Sequence, residues 1–597
     1  MTSNKTRPHF YSETEVLPES QDTRQACALA KMDRRLFLKL TGGLFVVSAA
    51  QRVGAMASAA QRVATVPQST TCAPGWHGTE LIDGESLANW VIEHDTGASG
   101  TLQLAPGLIG QAVQLDWDLG AGNWVQGRHA FPTPVNLSLA DIFGVSLRGG
   151  GAGETANTIS LMFADVNDVF YGFSLDAQDI GINQIDRWMI NLAFPKRLFG
   201  YFWGGNPQLD WSQIKRFFVV VKRPNATSGG GSGRLWIDHV QYDTAANWPR
   251  QTQFETATAN SQAASKAISY ILSQQDPSTG LFVSWKEEAS QNPPPKSWLY
   301  DQALALIALA REGSWQAGTP MNETARAAEK LVDFITAVQK ADGHWARGWN
   351  PRTGEQLVDD GWVGDQGWWV MALCIYAKKS GQASAMNSAQ RGADWLVPQI
   401  GPEGKVTAST EGNVDVWWAL MSTGRFSAAD KIKSYLLDNS TVWDSSLKYW
   451  WRGFNDPMIA MDAATWLSFF ARHPSVKETA RAYAALSFVR KTLVTSSQDG
   501  SQCGFDGMGP VSIWNEGTAQ YVAAGGQDAQ VFLDGLVSRQ RPDGSLGGAT
   551  ESWRGNAFGW HTPWSGLAPT AWFYFAIMGA PFPHSNSVYL PWVARNP

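Results

Sequence analysis

Five acids hold matching places in the C-terminal half of the chain, each with a small residue close behind it and an apolar run ahead. They are Asp301 in Tyr300-Asp301-Gln302-Ala303, Asp365 in Gly364-Asp365-Gln366-Gly367, Glu411 in Thr410-Glu411-Gly412-Asn413, Asp462 in Met461-Asp462-Ala463-Ala464, and Glu516 in Asn515-Glu516-Gly517-Thr518. Carboxyls gathered around one rim cannot all stay ionised. A helix dipole lowers a carboxyl pKa by less than about one unit. Mutual repulsion and desolvation raise it by up to roughly 3–5 units in extreme cases. A set that keeps one carboxyl protonated and another ionised has what glycoside hydrolysis needs, one group protonating the leaving oxygen and the other activating water or attacking. The aspartates also read as helix caps, since Asp is a preferred N-cap. For the two glutamates Thr410 and Asn515 are the better caps, so Glu411 and Glu516 are expected to point into open space beside Gly412 and Gly517, and they are the leading catalytic candidates. Asp365 pairs with Glu411, or Asp462 with Glu516, if neighbouring helices carry the two groups.

Positioning such groups requires a ring. The anchors are spaced 64, 46, 51, 54 and 54 residues apart once a sixth run, opening at Ala568-Pro569-Thr570 without an acid, is included. A period of about 50 residues marks a repeat architecture. Between the apolar runs lie amphipathic ones near 263–275, 322–340, 385–398, 427–437, 477–494 and 526–540. Half-polar helices belong outside and wholly apolar ones inside, so six of each in alternation predict an all-α (α/α)6 toroid over residues 263–597. Outer helices end in Gly turns such as Gln339-Lys340-Ala341-Asp342-Gly343. Loops rich in aromatics then lead to the N-termini of the inner helices. One end of the ring is therefore expected to be a bowl floored by acids, with Trp298, Trp345, Trp362, Tyr449, Trp450, Trp451, Trp514 and Trp560 as substrate-binding walls.

The rest of the chain reads differently. Short runs of period two between residues 75 and 245, divided by Gly-rich turns, predict an all-β jelly roll or sandwich. Trp117, Trp124, Trp188, Tyr201 and Trp203 are its candidate stacking face. Residues 246–262 read as a polar linker, giving a multidomain protein of β-sandwich followed by toroid. Residues 1–60 read as an export leader: Asp33-Arg34-Arg35-Leu36-Phe37-Leu38-Lys39 precedes an apolar stretch too short to span a bilayer and two Ala-x-Ala sites. The expected location is the periplasm or outside the cell. A charged fraction of 17% and net charge of -6, with no basic tract, exclude nucleic acid as the expected partner. Nine His residues show no ligand spacing, so no metal or other cofactor is expected in the bowl. A structural Ca²⁺ in the β-region is allowed, without a legible ligand set. Cys374 reads as a core residue, and a Cys72–Cys503 bridge has no local support.

Three resemblances sharpen the expectation. Leu81-Ile82-Asp83-Gly84 with Asn89-Trp90, and Arg234-Leu235-Trp236-Ile237-Asp238-His239-Val240, resemble the first and last strands of jelly-roll carbohydrate-binding modules, which implies sugar binding. The leader resembles a twin-arginine signal. The acid-led toroid resembles the (α/α)6 glycoside hydrolases, and Ser409-Thr410-Glu411-Gly412-Asn413 is similar to the Ser-Glu-Gly-Gln motif of family 8, with Thr410 and Asn413 departing from it. That resemblance implies Glu411 as general acid and leaves the base open. The expected activity is hydrolysis of a polysaccharide or oligosaccharide with inversion. Two alternatives are a polysaccharide lyase using Tyr449, Arg452 or His344, and a non-catalytic carbohydrate-binding protein.

Overall fold

The computed structural model describes residues 78–150, 157–176, 188–204, 208–223, 229–248, 251–287, 295–316, 318–497, 500–507, 512–551 and 563–583. The leader, Cys72 and Trp560 lie outside these residues. Among the described residues no helix is long and apolar enough to cross a membrane.

Among the described residues twelve strands form two antiparallel sheets. The first holds β1 (Thr79–Ile82), β3 (Ser99–Pro106), β4 (Gln111–Asp118), β6 (Ile142–Gly150), β9 (Trp188–Pro195) and β12 (Ser232–Asp243), in the order β3-β4-β12-β6-β9 with β1 also on β12. The second runs β10 (Gly200–Trp203), β8 (Phe170–Asp176), β7 (Thr158–Asp165), β11 (Ile214–Lys222), β5 (Trp124–Val135), β2 (Trp90–His94). Period-two alternation sends Phe217, Val219 and Val221 of β11 into the core between the sheets. Phe218 and Val220 face the other way and build a separate apolar cluster on the outside.

Twelve helices follow among the described residues. The outer set is α1 (Ser261–Ser273), α3 (Glu323–Ala337), α5 (Ala383–Leu396), α7 (Phe426–Asp438), α9 (Thr479–Thr492) and α11 (Ala529–Arg539). The inner set is α2 (Leu299–Glu312), α4 (Val363–Ser380), α6 (Thr410–Ser422), α8 (Met461–Arg472), α10 (Asn515–Ala523) and α12 (Leu567–Met578). Each inner helix packs on the next, and α12 packs on α2 to close the ring. The burial follows the periodicities: α2 is buried without a break from Leu299 to Ala310, whereas α3 buries a stripe through Ala325, Ala328, Leu331, Val332 and Ile335.

The Gln–Gly turns stitch the outer layer. The Gln339 side-chain amide donates to the Gly343 carbonyl at 2.7 Å and to that of Ser388 on α5 at 3.0 Å. Gln540 does the same to Gly544 at 3.0 Å and to Ala263 on α1 at 2.9 Å, so this layer closes too. Gly343 sits at φ +106°, and a Cβ there would run into the Arg391 carbonyl. Gly343→Ala is therefore expected to destabilise the protein by more than about 1 kcal/mol, read as a lower urea midpoint at unchanged slope.

The 246–262 stretch is not an open linker. Trp248 stacks on Phe488 at 5.1 Å, and Phe254 packs on Tyr483 at 4.2 Å beneath the Arg472 guanidinium. The Gln251 side chain and the Glu255 amide both donate to the Gly525 carbonyl at 3.0 Å. A polar average hid two aromatic anchors. The sandwich touches the helices through Arg197, which lies 3.3 Å from Asp444, and through Asp141, bonded by Ser446 at 2.8 Å. Cys374 is free and buried. Cys503 is disulfide-bonded.

Candidate active site

Five inner helices begin with their acid in the first turn, so the five groups converge at one end of the ring. Their loops are lashed together there. The first backbone N–H of α2 donates to Arg347 O at 2.8 Å, that of α6 to Arg452 O at 2.8 Å, and that of α8 to Gly507 O at 2.9 Å. Those of α10 and α12 donate to Gly548 O at 2.9 Å and Ser284 O at 2.8 Å. Each bond satisfies a donor that the helix itself leaves free, and ties one loop to the next.

None of the five acids is a cap. The α6 cap is Ser409, whose Oγ accepts from Gly412 N at 3.1 Å, and the caps of α2, α4, α8 and α10 are Trp298, Trp362, Ala460 and Trp514. Asn515, expected as a cap, instead donates to Gly547 O at 2.9 Å and accepts from Arg539 Nε at 2.7 Å. Nor do the two glycines hold space open. Gly412 packs on Thr407 and the Ser409 hydroxyl, and Gly517 packs on the Trp514 ring.

The acids differ in surroundings. Glu411 and Asp462 are half-buried, whereas Asp301, Asp365 and Glu516 have exposures of 1%, 9% and 3%. Burial, followed by the charge of Asp462 and a hydrogen bond to it, holds the Glu411 carboxyl well above the usual range. Asp365 is also raised by burial, but the Arg347 guanidinium, its Nε 3.0 Å from Oδ2, limits the rise to about 6. The surroundings thus favour the protonated form of Glu411, while Arg347 favours the ionised form of Asp365. Glu516 is buried and hydrogen-bonded. Its Oε1 accepts from the Tyr300 hydroxyl at 2.7 Å and from Gln520 at 3.3 Å, and Trp572 Nε1 donates to the Tyr300 oxygen at 2.7 Å. Burial lifts Glu516 to about 8. The charge of Asp301 is felt by Tyr300 and Tyr270.

Two members of the site escaped the sequence reading. Asp415 stands one turn after Glu411 on α6, 5% exposed, with Oδ1 unpartnered. Burial and the charges of Asp365 and Asp462 hold it well above the ordinary range. Its signal was an acid at i+4 inside the apolar run Val414-Asp415-Val416-Trp417. Arg347 is the other. Its guanidinium lies between the rings of Trp298 and Trp362, 5.5 and 5.4 Å from their centroids, and also reaches Asp360 at 2.9 Å.

Trp298 and Trp362 thus stand beside Asp365, and Trp362 is 37% exposed. Most of the other aromatic candidates are core residues. Trp345 is fully buried with its indole N–H on Ile335 O at 3.0 Å, and Trp450 packs on Trp443 at 4.5 Å. The Tyr449 hydroxyl donates to Pro457 O at 2.5 Å and its ring stacks on Phe488. Trp451 faces Arg197 of the sandwich at 5.9 Å, and Trp514 is buried against Gly517. The groups a lyase would need are engaged elsewhere: Arg452 with Asp456 at 2.6 Å, His344 with Asp342 at 2.7 Å and Asp359 at 3.2 Å. Among the described residues no three His, Cys, Asp or Glu are grouped as metal ligands.

No protein-family model matches this sequence, and no curated protein matches it. Among solved structures, a β-1,2-glucanase from Parabacteroides distasonis is 8% identical, with 84% of this chain and 95% of that one covered at a TM-score of 0.35. A family 76 glycoside hydrolase from a bovine Bacteroides thetaiotaomicron strain is 9% identical, covering 76% and 96% at 0.37. The family 11 carbohydrate-binding module of Clostridium thermocellum, in complex with a β-1,3-1,4-mixed-linked tetrasaccharide, is 14% identical, covering 28% and 94% at 0.22. Likenesses this low bear on neither the activity nor the residues that carry it.

Proposed function

We propose that the protein is an inverting glycoside hydrolase acting on a polysaccharide or oligosaccharide, with Glu411 as general acid and Asp365 as general base. The observation that carries this reading is the contrast between two acids on neighbouring inner helices: burial and Asp462 push Glu411 well above the usual carboxylate range, whereas the Arg347 guanidinium at 3.0 Å holds Asp365 to about 6. In the forward step the Glu411 proton goes to the glycosidic oxygen as that bond breaks. Asp365 takes a proton from the water that attacks the anomeric carbon from the opposite face. Trp298 and Trp362 offer ring faces on which a pyranose C–H face can stack, and Asp462 orients the Glu411 carboxyl through their shared hydrogen bond. Asp415 adds negative charge behind Glu411 when ionised and is a positioning residue in this scheme. Glu516 holds Tyr300 and has no part in proton transfer.

Digestion of a panel of neutral glycans, followed by ¹H NMR of the first anomer released, tests the proposal. A product of inverted configuration supports it, and a retained configuration removes Asp365 as base. Ultraviolet-absorbing products from uronate polymers would establish the lyase instead, and binding without product across the panel would leave a non-catalytic role.

The pH profile supplies a second test. Asp365 must be ionised, so kcat/KM is expected to rise as pH climbs through about 6. Arg347→Met removes the charge that limits the rise in the Asp365 pKa, and is expected to move this acidic limb to higher pH. A limb that stays in place would show that a different group supplies it.

A further inference from the structure

The outer face of the second sheet is unlike the solvent face of a sandwich, which is normally polar. Here Trp124, Phe170, Phe202, Trp203 and Phe218, together with Met162, line a groove of about 490 Å³. Trp203 packs on Phe170 at 4.8 Å and is still 48% exposed, a ring held in place with one surface free. The contacts to the helices described above come from Asp141, Arg197 and the stretch after β12, and none of these residues lines the groove.

Charge narrows the occupant. The one acid in the groove, Glu93, is compensated: Arg128 Nε lies 2.7 Å from Oε1 and Gln126 donates to Oε2 at 2.6 Å. The cations are in surplus. Lys222 is opposite Trp124 in the register, its Nζ 5.3 Å from the Phe202 centroid, and no carboxylate among the described residues pairs with it. Burial pulls its ammonium below the ordinary lysine range. Arg216, over the Phe170 and Phe218 rings and paired with Asp168, keeps a buried Nε without a partner. A half-buried ammonium without a counter-ion is costly unless a ligand supplies one.

We propose that this groove is a second, separate glycan site that takes an anionic polysaccharide, stacking sugar rings on Trp203 and Trp124 and receiving a carboxylate or sulfate on Lys222. At the bowl Arg347 is already paired with Asp365 and Asp360, whereas the groove offers Lys222 to an incoming anion, so the two sites select different glycans. This inference stands independently of the hydrolase reading.

The test is affinity electrophoresis of the full chain carrying Glu411→Gln, so that no turnover is needed, in gels containing polygalacturonate, its fully methyl-esterified form, or a sulfated galactan. Retardation is expected with polygalacturonate, the sulfated galactan or both, and not with the ester. Retardation by only one acidic polymer identifies carboxylate or sulfate as the recognised group. Adding Lys222→Met or Trp203→Ala is expected to weaken binding roughly tenfold each. Turnover of a neutral oligosaccharide by the same groove variants in the Glu411 background stays unchanged. Equal retardation by the ester, indifference to Lys222→Met, or no binding to either acidic polymer would overturn the proposal. So would a concentration-dependent dimer that Trp203→Ala dissolves, since the groove would then be occupied by a second copy of the chain.

Discussion

Glu411→Gln is expected to lower kcat roughly 10²–10⁴-fold on a substrate with an ordinary sugar leaving group, the usual worth of a placed general acid. The amide keeps the shape of the side chain and still donates to Asp462, so folding and substrate affinity should change little. Only the transferable proton is gone. The loss should therefore shrink strongly on an aryl glycoside whose leaving group departs without protonation. Asp365→Asn removes water activation instead, and its loss should be similar for both substrates. That contrast separates acid from base without a bound complex. If Glu411→Gln lowers turnover equally on both substrates, Glu411 is not the acid. The folded state of Asp365→Asn must be checked in parallel, because Arg347 is left with Asp360 alone.

The second large effect concerns stability rather than chemistry. Burial lifts the Glu516 carboxyl to about 8 in the fold, from an ordinary 4.5. Between those values the folded protein holds a proton that the unfolded chain has released. Stability is thus fully present below the unfolded pKa and is lost as pH rises through about 8, by an amount on the order of a few kcal/mol. Glu516→Gln makes the site neutral at every pH while keeping an oxygen for the Tyr300 hydroxyl. Denaturant midpoints followed from pH 5 to 9 should fall less steeply in the variant than in the parent, with the variant the more stable at the alkaline end. Parallel curves would mean that Glu516 is ionised in the fold. Near-parental turnover of the variant at pH 6 is the companion expectation, since its carboxyl is not asked to move a proton.

The ring was legible because two periodicities differ: Leu299–Ala310 is apolar on all sides, and Thr324–Leu331 on one. The helix caps were not, for a local reason. The cap of α6 lies one residue earlier than Thr410, and Asn515 is taken by Arg539 and Gly547, so the argument that freed Glu516 had no cap to rest on. The burial of most of the aromatics was hidden for another reason. Trp345 and Trp362 stand in the same loop, yet one ring is sealed against Ile335 and the other beside Arg347. Which way a loop tryptophan turns depends on contacts 10 and 15 residues along the chain, outside the i, i+3 and i, i+4 spacing that helical periodicity exposes. Asp415 was visible, as an acid without reason in an apolar helix. Arg347 was an arginine between two tryptophans in sequence and proved to be one in space, between a different pair.

Ring closure has a kinetic meaning. The last inner helix packs against the first two helices of the toroid, across about 300 residues of chain. Every earlier inner helix can meet its predecessor as soon as it is made, but the seam has to wait for the final turn of sequence. Until then α1 and α2 present an uncovered apolar flank at one end of an open arc, the kind of surface on which incomplete chains aggregate. A truncation just before Leu567 should accordingly cost much more than one repeat's share of stability, since it leaves two raw edges where the complete protein has none.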